Sequence, residues 1–467
     1  MEYSRFGDAD GINSIKPKAY QGQNAGERRS WGTWVSPTKI LLLILGAFAI
    51  VAYTFGLVPP ACSRRNLSIP ERARRILKEH PLIDGHNDLM ILIRFMDQSK
   101  IYTNEFKEKF ENGGLHGHVD LPRLDTGMVG GSFWSAFWPC PTNGSDFSDE
   151  NYDPIVRATL SQLDLYQRLG AAYPHYFTPS TSYSSALHAF SSGNLISPAA
   201  IEGLHQIGNR LSTLRLYYSL GVRYATLTWN CHNAYADAAL VTNDDGDTVK
   251  SSPLWGGISP NAGRALIQEM NRLGMIVDLS HVSVDTMRDV LEGKVGDGKI
   301  DGWTGSLAPP IFSHSSAYAI CPHPRNVPDD VLQLVKRRGS VVMINFSPDF
   351  IACKESGSST GLPDSVPEDA TLQQVVKHIK HIGELIGYEH VGLGSDFDGL
   401  ESTPKGLEDV SKYPKLVETL LEEGLTEEQL AGIVGRNVLR VWKETEQVAE
   451  ELSWINPLED DLEQLQK

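Results

Sequence analysis

At 467 residues the chain is long enough to bury a large core and exceeds one average domain. Its hydrophobic share of 41% and charged share of 21% are those of a globular protein, and a formal net charge of -16 argues against nucleic acid as the main partner. Five cysteines without a CxxC pair argue against zinc-finger and thioredoxin-like sites.

Residues 1–39 are polar, with scattered glycine and charge, and are expected to form a disordered cytosolic tail. Ile40–Val58 (ILLLILGAFAIVAYTFGLV) is free of charge over about 19 residues, enough to cross a bilayer as a transmembrane helix, and is apolar all round. A cleaved signal peptide is the rival reading; the late start of the run and Pro59-Pro60 directly after it favour an uncleaved signal anchor. The basic residues do not set its orientation, since Arg28, Arg29 and Lys39 precede it and Arg64, Arg65, Arg72, Arg74 and Arg75 follow it. Cysteines available for pairing and the sequons at Asn66 and Asn143 favour an oxidising lumen for the large domain. The expectation is a single-pass type II membrane protein of the secretory pathway, with the large domain lumenal or extracellular. Residues 59–70 read as a stalk, 71–457 as one domain, and 458–467 as a polar C-terminal tail.

Within the large domain, short apolar runs recur: PLIDG (81–85), GGSFWSAF (130–137), SPAAIEG (197–203), RYATLTW (223–229), GMIVDLS (274–280), PPIFSHS (309–315), SVVMINF (340–346) and HVGLGSD (390–396). Brief Val- and Ile-rich runs without clean alternation are the pattern of buried parallel strands. Helical patterns lie between them, at 261–274, 283–293, 328–339 and 372–387. Eight strands alternating with helices predict an α/β fold, a (β/α)8 TIM-type barrel with inserted loops. The competing fold is a doubly wound sheet, but no GxGxxG turn follows the first strand.

In such a barrel the catalytic groups project from the C-terminal ends of strands. The first run ends in Asp84-Gly85-His86-Asn87-Asp88, where alternate residues place His86 and Asp88 on one side. The third ends in Glu202, the fifth in His281, the sixth in His314 and the eighth in Asp396 of GSDFDG. Three histidines and several carboxylates on separate strand ends form an N/O donor set suited to zinc, and two metals sharing one carboxylate account for their number. His116 and His118 also stand in HxH spacing but in a glycine-rich loop, and read as surface or supporting residues. His378 and His381, one turn apart on a helix, read as solvated.

At this point the ordered blocks IDGHNDL (83–89), IEGLHQIGN (201–209), IVDLSHVS (276–283), PIFSHSSAY (310–318), RNVPDDVLQLVK (325–336), GSDFDG (394–399), GLEDVSKYP (406–414) and GRNVLRVW (435–442) become recognisable. The chain closely resembles the membrane dipeptidase family of zinc metallopeptidases, whose barrel is of the metal-dependent hydrolase kind. The resemblance implies two zinc ions per chain, dipeptide substrates and a homodimer. It places His86 and Asp88 on one zinc, His281 and His314 on the other, and Glu202 between them. Arg325 is implied to grip the substrate's C-terminal carboxylate, for which a guanidinium fork is suited. Asp396 is implied to shuttle the proton of a metal-bridging hydroxide to the leaving amine. Disulfides Cys140–Cys231 and Cys321–Cys353 are also implied. That leaves Cys62 as a candidate link between two chains, which a non-reducing gel of Cys62→Ser would test.

One position departs from the family pattern. Where a histidine is usual after the Leu-Thr pair of the fourth strand, this chain has Trp229, within LTWNCHN, with His232 three residues on. Either His232 takes over the contact to the scissile carbonyl, or the second zinc acts alone, or activity is reduced. Trp229 then borders the substrate pocket. Two rival functions remain at this stage: a metal-dependent amidohydrolase acting on N-acyl amino acids or cyclic amides, and a non-catalytic, membrane-tethered binding protein on the same fold.

Overall fold

The computed structural model describes residues 67–243, 245–293 and 302–460. Eight strands form a closed, all-parallel barrel in which each strand neighbours its successor and the last returns to the first. They are β1 (Leu82–Asn87), β2 (Val129–Ala136), β3 (Ala199–Glu202), β4 (Val222–Thr226), β5 (Ile276–Asp278), β6 (Ile311–Phe312), β7 (Val341–Ile344) and β8 (Val391–Leu393). Every strand residue is buried, which is why the runs carry no polar alternation. Each of the eight sequence runs overlaps one of these strands. The four helical patterns form Ala262–Leu273, Val284–Glu292, Asp329–Arg338 and Leu372–Ile386. The doubly wound alternative is thereby excluded.

The lower interior of the barrel is packed with side chains. Ile83, Phe133, Tyr224, Ile276, Ile311 and Val341 meet there, and the helix Asn437–Glu451 adds Val438, Leu439 and Trp442 from below. Phe133 and Trp442 have ring centroids 5.7 Å apart. The N-terminal end is therefore closed, and the opening lies at the strand C-termini.

A local irregularity in β1 aims the first two site residues. Asp84 pairs with Ser132 but Asn87 with Trp134, so β1 carries one extra residue against β2. Ile83 is among the interior side chains, and a Cβ on Gly85 would meet Met343 and the Ser313 carbonyl. Simple alternation would send His86 outward; the bulge resets the phase and turns it to the axis.

The domain edges are wider than the sequence boundaries. The helix Ile69–Glu79 begins inside the expected stalk, its start held by Glu71 Oε2 accepting from Ser68 N at 2.8 Å. Arg72 and Arg75 both pair with Glu427. At the other end Asp460 accepts from Leu211 N (2.7 Å) and Ser212 N (2.9 Å), capping the helix Leu211–Ser219 from a distant part of the chain. The expected tail thus starts as part of the domain.

Both disulfides join loops at the open end. Cys140–Cys231 links the segments after β2 and β4, and Cys321–Cys353 those after β6 and β7, with Cα–Cα distances of 6.2 and 4.9 Å. Asn143 is exposed, its side-chain oxygen accepting from Ser145 Oγ at 2.9 Å. Among the described residues no helix is long and apolar enough to cross a membrane. The expected cytosolic tail (residues 1–39), Ile40–Val58, Cys62 and Asn66 lie outside the described residues.

Candidate metal centre

The strand-end residues converge at the mouth of the barrel. Glu202 stands in the middle, its Oε2 3.6 Å from His86 Nε2 and its Oε1 2.8 Å from His281 Nε2 and 3.4 Å from His314 Nε2. Asp88 Oδ2 lies 3.1 Å from His86 Nε2. Two of the resulting groups are His86–Asp88–Glu202 and Glu202–His281–His314, with donor atoms in each within 4.8 Å of one another and all five residues buried, and a third joins His86, His314 and Asp396. Each oxygen of Glu202 faces a different group, the arrangement of a bridging carboxylate.

The neighbours of the histidines fix their tautomers. Tyr224 Oη donates to the Gly85 carbonyl (3.0 Å), so at 2.7 Å it accepts from His86 Nδ1. Ser313 Oγ donates to Asp278 Oδ2 (2.7 Å), so it accepts from His314 Nδ1 at 2.8 Å. Asn230 Oδ1 accepts from His281 Nδ1 at 3.0 Å. With each proton committed to Nδ1, three lone pairs on Nε2 face one another, those of His281 and His314 only 3.0 Å apart. Such lone pairs beside a carboxylate repel unless a cation lies among them, so the donor set fits divalent metal.

At His281 and His314 the electrostatics agree, whereas at His86 burial is outweighed by Tyr224, Asp88 and Glu202, which hold the imidazole well above its usual range. Burial, then the Arg325 charge, pushes His281 down to about 3, and burial together with His86 holds His314 well below the usual imidazole range. Burial pushes Glu202 up, but the imidazoles of His86, His281 and His314 outweigh it and hold the carboxyl well below its ordinary value. Asp396 is pushed up to about 7, by burial first and then by Asp88 and Glu202, against the pull of His86 and Arg325. Its Oδ1 is 4.0 Å from His86 Nε2 while Oδ2 accepts from Asn345 Nδ2 at 3.0 Å. His281 and Asp396 have left-handed backbones, φ +67° and +66°, a conformation stored where surrounding contacts over-determine it. A Cβ on Gly399 would strike both Asp88 and Asp396, so only glycine fits beside them.

A cleft of about 740 Å³ opens over these groups, bordered by Asp88, Glu202, His281, Asp396, Trp229 and Arg325 among others. Arg325 is 3% exposed, and its Nε and Nη2 have no hydrogen-bond partner. Its guanidinium stacks over Phe350 at 4.9 Å. Trp229 forms part of the wall, its ring 4.9 Å from Phe137 and 6.2 Å from His281.

Two sequence expectations need correction. His232 does not line the cleft: its Nδ1 accepts from Ala238 N at 3.2 Å and lies 3.3 Å from Asp237. Asp237 also takes the backbone N–H groups of Trp255 and Gly256, so His232 belongs to a loop-organising centre and not to the site. His378 is fully buried rather than solvated. Its Nδ1 accepts from Ala317 N (3.0 Å) and its Nε2 donates to the Ile351 carbonyl (2.9 Å). His381 is partly exposed against Asp329, and His118 supports the GSDFDG turn by accepting from Asp398 N at 2.9 Å. Tyr224, Asn230, Ser313 and Asn345 were not singled out from sequence. They are ordinary polar residues whose only mark is lying on or beside the apolar strand runs.

Comparison with known proteins agrees with this geometry. Residues 70–456 match the family described as membrane dipeptidase (Peptidase family M19). Dipeptidase aclJ of Aspergillus oryzae is 43% identical over 416 residues, covering 88% of this chain and 89% of that protein. Dipeptidase tcpJ of Claviceps purpurea is 41% identical over 86% of this chain and 85% of its own length. Among solved structures, a metallopeptidase from Rhodobacter sphaeroides, liganded with a phosphinate mimic of the dipeptide L-Ala-D-Ala, superposes with a TM-score of 0.62 at 25% identity, over 78% of this chain and 99% of that one. With its barrel, its imidazole–carboxylate donor set and these relatives, the chain belongs to the membrane dipeptidase family, Peptidase family M19, and is a metal-dependent dipeptidase.

Proposed function

We propose that the site holds two zinc ions and hydrolyses the single amide bond of a dipeptide whose carboxylate is bound by Arg325. His86 and Asp88 would hold one ion, His281 and His314 the other, with Glu202 shared. Bound there, the metals would supply an activated water at neutral pH and polarisation of the scissile carbonyl. The remaining work falls to the chain itself. Arg325 fixes the carboxylate end and thereby the register of the amide over the donor set. Asp396, anchored through Oδ2 by Asn345, keeps Oδ1 available to accept the proton of the attacking water and return it to the departing amine.

The observation that carries this reading is Arg325, a buried guanidinium with two unpaired nitrogens at the edge of the cleft. Such a group is costly to bury alone and suits a bidentate carboxylate. The dipeptide mimic held by the Rhodobacter neighbour supports a substrate of that size. The test compares kcat/KM for a dipeptide and its C-terminal amide. The wild-type enzyme should prefer the free carboxylate by roughly 10²-fold or more, and Arg325→Ala should abolish the preference with metal content unchanged. Undiminished dipeptide cleavage by Arg325→Ala would remove that role, and faster cleavage of N-acyl amino acids would make the protein an amidohydrolase of another kind.

The apolar run Ile40–Val58 and the sequons support a membrane-tethered protein of the secretory pathway, dimeric through Cys62. Resistance of the full chain to carbonate extraction, and a disulfide-linked dimer lost in Cys62→Ser, are the expected results.

A further inference from the structure

The two ends of the cleft differ in chemistry, and the barrel topology tells which end of a substrate meets which. β2 and β6 are four places apart in a ring of eight and so lie on opposite sides of the mouth. Arg325 follows β6, and the ring it stacks on, Phe350, follows β7. The donor atoms of the metal centre lie between. A dipeptide with its carboxylate on Arg325 and its amide over the centre therefore extends its first residue toward the side of β2 and its neighbour β1, which Trp229, from just beyond β4, reaches through its ring contact with Phe137.

That side is apolar. Leu92 and Phe95 come from the helix Leu89–Asp97 directly after β1, Phe137 from the end of β2, and Trp229 from just beyond β4, and all four line the cleft. Phe137 and Trp229 stand 4.9 Å apart at 58°. Phe95 leaves 62% of its surface exposed at the rim, with its ring 6.4 Å from Trp138. With Leu92, Phe137 and Trp229 the Phe95 ring makes a contiguous apolar patch along the cleft, and such patches mark binding grooves. The described cleft residues include no lysine and no arginine besides Arg325, whereas Asp88, Asp349, Asp396, Asp398 and Glu401 all border it. An acidic side chain would find no cation among the residues lining this side, where Arg94 is turned onto the Trp138 ring at 4.7 Å, while a free α-ammonium group is well served.

Resting on the assignment of Arg325 to the substrate carboxylate, we infer that Leu92, Phe95, Phe137 and Trp229 form the subsite for the side chain of the N-terminal residue and select dipeptides in which that residue is bulky and apolar. The tryptophan at the position where the family pattern has histidine is then a specificity residue. It adds apolar area to the wall.

The experiment measures kcat/KM for Leu-Gly, Phe-Gly, Gly-Gly and Asp-Gly, and for Gly-Leu as the reversed control, with metal content determined alongside. Leu-Gly and Phe-Gly should exceed Gly-Gly by roughly 10- to 100-fold, the factor for burying one such side chain, and Asp-Gly should fall below Gly-Gly. Trp229→Ala should reduce the Leu-Gly to Gly-Gly ratio to within a few fold, Trp229→Phe should retain most of it, and neither should move the Gly-Leu to Gly-Gly ratio. Phe95→Ser, at an exposed position that cannot endanger folding, should lower the Phe-Gly ratio independently. Equal rates for all N-terminal residues, or ratios unmoved by both Trp229→Ala and Phe95→Ser, would overturn the subsite. A change confined to Gly-Leu would do so too, by moving the wall to the C-terminal residue. Failure of the underlying reading looks different: Arg325→Ala would leave dipeptide cleavage intact, whatever the N-terminal preference.

Discussion

Two of the described regions that bury histidine use it in opposite ways. At the barrel mouth His86, His281 and His314 each spend Nδ1 on a protein partner and turn Nε2 into a shared space. In the helical layer outside the barrel His378 spends both nitrogens, one on the Ala317 N–H and one on the Ile351 carbonyl. Burial pushes His281 down to about 3 and His378 to about 4, so neither depth nor basicity separates these two. What separates them is the unspent nitrogen. A buried imidazole with a free Nε2 is a ligand in waiting, whereas one with both nitrogens bonded is a strut.

The sharpest way to break the comparison is to remove the carboxylate that the mouth histidines share. Glu202→Ala deletes a donor from both groups at once and leaves the Nε2 atoms facing each other. Activity should fall by at least about 10³-fold and bound metal should be lost, as read by metal analysis and dipeptide hydrolysis. Retained metal with retained rate would show that the cluster is structural. The strut should answer differently. His378→Ala strands the buried Ala317 N–H and leaves a cavity, while the Ile351 carbonyl keeps a second donor, Gln374 Nε2 at 2.9 Å. A loss of about 2–4 kcal/mol of stability is expected, visible as a lower apparent Tm, with kcat/KM per folded molecule within about twofold of the wild-type enzyme.

The contrast also marks how far the sequence could be read. All eight strands and the cluster of candidate metal-holding residues were legible because buried parallel strands leave short Val- and Ile-rich runs, and the mouth of a barrel collects whatever polar residues end them. The misreading of His378 came from weighing residue type above period. The buried face of Leu372–Ile386 runs through Val375, Ile379, Ile382 and Ile386, and His378 sits within that stripe, three residues after Val375. The bulge that aims His86 left no trace, because an extra residue in β1 is defined only against β2. Tyr224 and Asn230 stayed hidden for the same reason, since each bonds a histidine brought near by barrel closure, and Ser313, although next to His314 in sequence, is set as its acceptor only by donating to Asp278 across the barrel. His232 misled in the other direction. It is close to Trp229 in sequence, but Asp237 gathers the intervening loop and takes it out of the cleft.

The smallest effect concerns protons at the strut. Burial, joined by the nearby His381 and Lys377, lowers His378 to about 4 against the pull of its bond to Ile351, while in the unfolded chain it titrates near its ordinary value of 6.5. Between those limits the unfolded state binds a proton that the folded state refuses, so stability falls as pH falls. The contribution of His378 is complete above pH 6.5 and declines toward pH 4. His378→Ala lacks this term, whereas His281, His314 and the buried carboxylates are present in both proteins and cancel in the difference. The gap in apparent Tm between the two should therefore be widest near pH 7.5 and narrow steadily toward pH 5. A gap that stays constant would mean that His378 keeps its ordinary basicity when folded, and a gap that widens in acid would mean that it is held protonated, which its acceptor role toward Ala317 forbids.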